Sequence, residues 1–170
     1  SGNQKIRKIT SAGVVTTFAG STSGFTDATG VAAQFSIPRG IASDSSGNIY
    51  VADANNHRIR KITPAGVVTT LAGSTAGFTD ATGAAAQFNL PYGVSVDSAG
   101  NVYVADANNH RIRKVTQAGV VTTIAGTTSG FANGATASSE FNAPEGLYVD
   151  SSGMNIYVSD TINHKIRKIQ

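Results

Sequence analysis

Three histidines, three pairs of aspartates and a basic cluster that recurs four times are the side chains of this sequence most able to do chemistry. His57, His110 and His164 each follow an Asn, and imidazole is the commonest protein metal ligand. Asp44/Asp53, Asp97/Asp106 and Asp150/Asp160 are spaced as acid/base carboxylates or calcium ligands could be. An enzyme needs one constellation, however, and each of these sets is repeated along the chain. Repetition favours structural roles: a histidine bonding within its own turn, and aspartates that cap turns and pair with nearby basic residues.

The basic residues obey the same repetition. Twelve of the thirteen Lys and Arg lie at Lys5/Arg7/Lys8, Arg58/Arg60/Lys61, Arg111/Arg113/Lys114 and Lys165/Arg167/Lys168, with Arg39 alone outside. A net charge of +3 distributed in this way could form a stripe for RNA phosphates. Acidic residues on adjacent segments and the lack of an aromatic-rich basic surface disfavour nucleic acid. Long basic stems covering apolar faces, with paired or solvated heads, are the simpler expectation.

No Ser-His-Asp or Cys-His arrangement is credible, and the absence of Cys removes disulfides and thiolate metal sites. The Gly-rich stretches lack the Gly-Lys-Ser/Thr of a phosphate loop. No apolar run approaches the roughly 18 to 20 residues of a membrane helix, and the first residues lack a signal-peptide pattern. The expectation is a chain with no cofactor, no metal and no membrane partner, whose compartment, secreted or cytoplasmic, stays open.

These residues are positioned by a repeat. Ile6 recurs as Ile59 and Ile112 at a period of 53 and as Ile166 after 54, Met154 being the extra residue. Aligning Gly13–Thr63 with Gly66–Thr116 gives 39 identities in 51 positions, far beyond chance for unrelated segments. In one unit the apolar and turn signals resolve four short extended runs. Strand a is Gly93–Asp97, b Asn101–Asp106, c His110–Thr116 and d Val120–Ala125, separated by turns at residues 98–101, 107–109 and 117–119. No helical period is sustained, one turn near Ala84–Phe88 aside. Phe25/Phe35, Phe78/Phe88 and Phe131/Phe141 are expected to anchor the linkers.

Four short antiparallel strands followed by a longer linker, at a period near the roughly 40 to 50 residues of propeller blades, predict an all-β propeller. The string GFTDATGAAAQFNLPYGVSVDSAGNVYVADANNHRIRKVT, with its Pro-x-Gly, Asp-x-x-Gly-Asn, Tyr-Val-Ala-Asp and Asn-His-Arg-Ile elements, closely resembles an NHL repeat. That resemblance implies a propeller, usually six-bladed. It also brings RNA binding, known for some animal NHL domains, and an enzymatic reading through metal-using lactonases or lyases of similar fold. The enzymatic reading needs acidic or His ligands converging from different blades.

The predicted organisation is a partial blade at 1–12, then NHL repeats at 13–65, 66–118 and 119–170, making three blades per chain plus a surplus strand c at Lys5–Ile9. Blades bury both faces against neighbours, so an arc of three leaves two apolar faces in water. A homodimer closing six blades is the expected partner arrangement, with a nine-bladed trimer as the fallback. Strand d at Val14–Ala19 of one chain would complete the blade at Gly146–Ile169 of the other. Residues 1–9 are then expected to be displaced, loosely ordered or paired on an outer edge, because the strand c at His164–Ile169 closes on its own hairpin.

Function in such a molecule is expected where the copies differ. Between the linker Pro and the Gly of strand a stand Arg39, Tyr92 and Glu145, and two residues past that Gly stand Ala42, Ser95 and Tyr148. Arg39, Tyr92, Glu145, Ser95 and Tyr148 are therefore the candidate ligand-binding set, facing a channel mouth. The function expected is a non-enzymatic, self-assembling scaffold or interaction module. A small-ligand or peptide binder at the mouth is the first alternative and RNA binding through strand c the second.

Overall fold

A computed structural model describes residues 2–135 and 137–170, in which thirteen strands form four antiparallel sheets. A two-stranded sheet pairs β1 (Ile6–Ile9) with β2 (Val15–Ala19). Blade 1 follows with β3 (Pro38–Ser43), β4 (Ile49–Asp53), β5 (Arg58–Ile62) and β6 (Val68–Ala72), in that spatial order. Blade 2 repeats it with β7 (Pro91–Val96), β8 (Val102–Asp106), β9 (Arg111–Val115) and β10 (Val121–Ala125). Blade 3 has β11 (Pro144–Val149), β12 (Ile156–Asp160) and β13 (Lys165–Ile169). The four runs read from the sequence thus recur in the expected order, and the short helical turn is a 3-10 turn at Gly83–Ala85 with a counterpart at Gly30–Ala32.

Each hairpin is fixed by local chemistry. Between β3 and β4 the Asp44 carboxylate accepts from the Ser46 and Asn48 amides, the Asn48 side chain and the Tyr50 hydroxyl. Gly47 supplies the positive φ of 79° that this turn requires. The second strand runs through a 3-10 turn, Ala54–Asn56, into His57 in the left-handed conformation. Asp97 and Asp150 cap the matching turns, which agrees with the turn-capping role expected of them.

The core lies between blades rather than inside them. Tyr50, Ala52 and Ile59 of blade 1 pack against Phe88, Val94, Val102 and Val104 of blade 2. Tyr103, Ala105 and Ile112 of blade 2 pack in the same way against Phe141, Val149, Ile156 and Val158. Ile6 and Ala19 of the two-stranded sheet meet Phe35, Val51 and Ile62. In each linker one Phe enters this core, Phe35, Phe88 or Phe141. Its partner, Phe25, Phe78 or Phe131, stays exposed under Arg58, Arg111 or Lys165, so only half of the expected anchoring holds.

In the single chain β1 is not displaced. It pairs with β2 through a tight turn in which the Gly13 amide donates to the Thr10 carbonyl, and Ile6 is buried. Like β13, β1 closes on its own hairpin, and among the described residues no rival strand contests the slot.

Candidate functional site

The inner strands β3, β7 and β11 lie side by side, and each begins with a β-bulge. The register shifts between Pro38 and Ile41, between Pro91 and Val94, and between Pro144 and Leu147. A bulge re-aims the side chains it carries, and the residues on these three are Arg39-Gly40, Tyr92-Gly93 and Glu145-Gly146. The glycines are demanded by close approach: a Cβ on Gly40 would strike the Tyr92 carbonyl, and one on Gly93 the Glu145 carbonyl. That approach sets the three variable side chains beside one another.

Arg39, Tyr92 and Glu145 line one open depression of about 380 Å³ together with the three glycines and Ser159. The Arg39 guanidinium lies 4.1 Å from the Tyr92 ring centre, a cation–π stack. A cation, an aromatic face and a carboxylate are thus presented in a row along the inner rim.

Ser95 and Tyr148 do not join them. They lie toward the other end of the inner strands, in a separate depression of about 360 Å³ that also includes Ala42, Asp97 and Ser151. The Ser95 hydroxyl is committed to the fold, accepting from the Val149 amide at 3.1 Å. Tyr148 is 62% exposed. The five candidates therefore form two sets at opposite ends of strand a, because residues three or more apart on one strand are separated by about 10 Å.

The histidines serve the joints between blades. His57 Nδ1 accepts from the Leu90 amide of the following blade at 3.2 Å, and His110 Nδ1 accepts from the Ala143 amide at 3.1 Å. This corrects the expectation of a bond within the same turn: the left-handed backbone at His57 and His110 turns the ring across the joint. Burial, then the adjacent Arg58 or Arg111 charge, pushes both imidazoles below their ordinary pKa, which keeps Nδ1 an acceptor.

The second aspartate of each pair meets strand c as expected, in a form the sequence reading did not foresee. Arg60 and Arg113 are fully buried. Arg60 binds Asp53 at 2.7 Å and Asp27 at 2.5 Å, and Arg113 binds Asp106 and Asp80 at the same distances. Arg167 binds Asp160 at 2.8 Å, while Asn133 stands in the place of the linker aspartate. Burial pushes the Asp106 carboxyl up to about 6, against the opposing hydrogen bonds of Asn109 and the Asn89 amide and the charge of Arg113. The signal available in the sequence was the fixed seven-residue step from Asp53 to Arg60 and from Asp106 to Arg113.

These placements bear on the other chemistries. A buried, doubly paired guanidinium cannot meet a phosphate, and Lys61 and Lys114 lie over Tyr50 and Tyr103. Among the described residues no three His, Asp or Glu side chains gather in a metal-binding group. No helix among them is long and apolar enough to cross a membrane.

Residues 35–62 and 88–115 match the NHL repeat family. The NHL repeat-containing protein 2 of Bos taurus is 34% identical over 151 residues, covering 79% of this chain and 21% of that protein. The chain therefore spans about a fifth of this relative. Among solved structures, an auxiliary nutrient binding protein from Bacteroides thetaiotaomicron superposes with a TM-score of 0.79 at 22% identity, over 99% of this chain and 43% of that one. Virginiamycin B lyase from Staphylococcus aureus gives a TM-score of 0.56 at 17% identity, over 99% of this chain and 49% of that one. At these identities the two structures speak for the fold alone. Two blades of the chain, at residues 35–62 and 88–115, are thus NHL repeats, set in a protein of β-propeller fold.

Proposed function

We propose that the chain is a non-enzymatic interaction module whose first partner is a second copy of itself, two three-blade arcs closing a six-bladed ring about a two-fold axis. The observation that carries this reading is the interrupted glycine series. Gly40 abuts the Tyr92 carbonyl and Gly93 the Glu145 carbonyl, whereas a Cβ on Gly146 would meet only the Ser159 side chain. The residue placed to fill that gap in a closed ring is Arg39 of the second copy.

The two end faces support the same reading. Tyr157 and Ile166 are 42% and 74% exposed, at positions where Tyr103 and Ile112 are buried one blade earlier, and Tyr148, in the place of Ser95, is 62% exposed. At the other end Ile41 is 53% exposed where Val94 is buried. Stacked repeats need polar outer faces to stand alone, and these faces are apolar. Strand β2 of the second copy would lie on the free edge of β13. Sedimentation tests the reading: the parent chain should associate, and Tyr157→Glu should weaken association at least about tenfold by burying a charge. A parent that stays a single chain, or a variant that associates equally well, rejects it.

The Arg39–Tyr92–Glu145 row favours a second reading, a small-ligand or peptide site on the inner rim, doubled by the two-fold axis. An aromatic face flanked by opposite charges suits a ligand carrying both charges. A ligand screen in which hits are lost with both Tyr92→Ala and Glu145→Ala supports it; hits indifferent to both variants reject it.

A further inference from the structure

Resting on the ring reading, we infer that the strand slot beside β2 is a docking surface for Asn163–Ile169 of a second copy, and that the chain's own Asn3–Ile9 is a built-in competitor occupying it in the single chain. The two segments are near duplicates: Lys5–Ile9 and Lys165–Ile169 both read Lys-Ile-Arg-Lys-Ile, preceded by Asn3-Gln4 and Asn163-His164.

The slot is a copy of the joints between complete blades. At those joints His57 and His110 accept the amides of Leu90 and Ala143. At the first joint Gln4 Oε1 takes the equivalent amide, that of Ile37, at 2.6 Å. Gln4 shares the left-handed backbone of the histidines, φ 54° against 55° and 56°. Gly20 is backed by the Gln4 carbonyl and the Phe35 ring, as Gly73 is by the His57 carbonyl and the Phe88 ring. Ile6 pairs with Ala19 and Arg7 with Thr17 in the bulged register that pairs Ile59 with Ala72 and Arg60 with Thr70. His164 has the same left-handed backbone, φ 54°, and among the described residues no blade follows it to supply the amide. Ile37 of a second copy is that amide.

Anchorage decides which duplicate yields. β13 pairs along its length with β12, Arg167 binds Asp160 and the Glu140 carbonyl, and Asn163 donates to the Gly130 carbonyl at 2.6 Å. β1 pairs with β2 alone, and Asn3 and Arg7 are exposed. Exchange replaces a lone strand by the edge of a three-stranded blade, and that blade also covers Ile41. Opposing it, β1 is tethered by a short hairpin, and a tether of this length presents its segment at millimolar effective concentration or above. The competitor therefore weakens association without abolishing it.

The test is the dimer dissociation constant, by sedimentation, of the parent, of a chain lacking residues 1–9, of Ile6→Asp and of Ile166→Asp. Removing the competitor or charging Ile6 should tighten the dimer at least about tenfold, and Ile166→Asp should loosen it by a similar factor. Ile6→Asp keeps the test decisive if the shortened chain folds poorly. A dimer left unchanged or weakened by Ile6→Asp overturns the inference while the ring stands. A parent and variants that all remain single chains overturn both. Because the protein has no cysteine, Ile37→Cys with His164→Cys gives an independent readout: a short bis-maleimide should join two chains, and linkage to neither or only within one chain contradicts the docking.

Discussion

In blades 1 and 2 a buried guanidinium is held between two carboxylates, the Asp27 and Asp80 side chains then reach the Thr70 and Thr123 amides, and the fourth strand is locked to the linker. In blade 3 Arg167 has one carboxylate and Asn133, and the blade has three strands. The Asn133 oxygen is taken by Arg167, and its remaining NH₂ cannot accept a backbone N–H. Nearly the same repeat thus gives a closed joint in the middle of the arc and an open one at its end. Much of what holds a repeat is therefore contact with its neighbour, so equal sequences need not be equally stable.

The two joints should differ most at the guanidinium. Arg113→Ala leaves Asp106 buried without its counter-charge and should cost about 3 to 5 kcal/mol in urea unfolding. Arg167→Ala, which removes a partly exposed guanidinium with one carboxylate rather than two, should cost less, about 1.5 to 3 kcal/mol. Equal losses would mean that the two joints do not differ. A smaller separation comes from the glycines: Gly93→Ala should destabilise by about 1 to 3 kcal/mol through its clash with the Glu145 carbonyl. Gly146→Ala should stay within about 0.5 kcal/mol in the single chain and act on association instead.

The joints also differ in their response to acid. His57 and His110 have folded pKa values below 6.5, for the burial and charge reasons given above. Their contribution is therefore complete above 6.5 and is lost as the pH falls through the lower folded value. Asp106 runs the other way: raised to about 6, its contribution is complete below 3.8 and is lost as the pH rises through 6. His57→Gln with His110→Gln, the residue type found at Gln4, should abolish the histidine part. The variant should lose less stability than the parent between pH 7 and 5, and parallel curves would refute the acceptor role. The smallest effect is expected from Asn133→Asp, which restores the missing acceptor and should tighten association by a few-fold, about 0.5 to 1 kcal/mol.

Much of the fold was legible because turn chemistry and period-two alternation are local. The Asp44, Asp97 and Asp150 turns, the strand order and the pairing of Asp53 with strand c could all be read from spacing. What was hidden depended on the neighbouring blade. Nothing local distinguishes Arg60, wholly buried, from Arg58, stacked on an exposed Phe25. Nor does the sequence show that the His57 ring crosses to Leu90. The candidate rim was half legible: Arg39, Tyr92 and Glu145 meet because the bulge glycines bring the inner strands together. Ser95 and Tyr148 share the same strands but lie too far along them.

Completion of the arc by a second copy predicts a dimer in solution. Native mass spectrometry across a dilution series tests it most directly, beginning at about 10 μM, where a micromolar dissociation constant leaves the complex well populated. A species of twice the 17.3 kDa chain mass, diminishing on dilution, is the predicted result. A lone 17.3 kDa chain at every concentration, or a threefold mass, would contradict it.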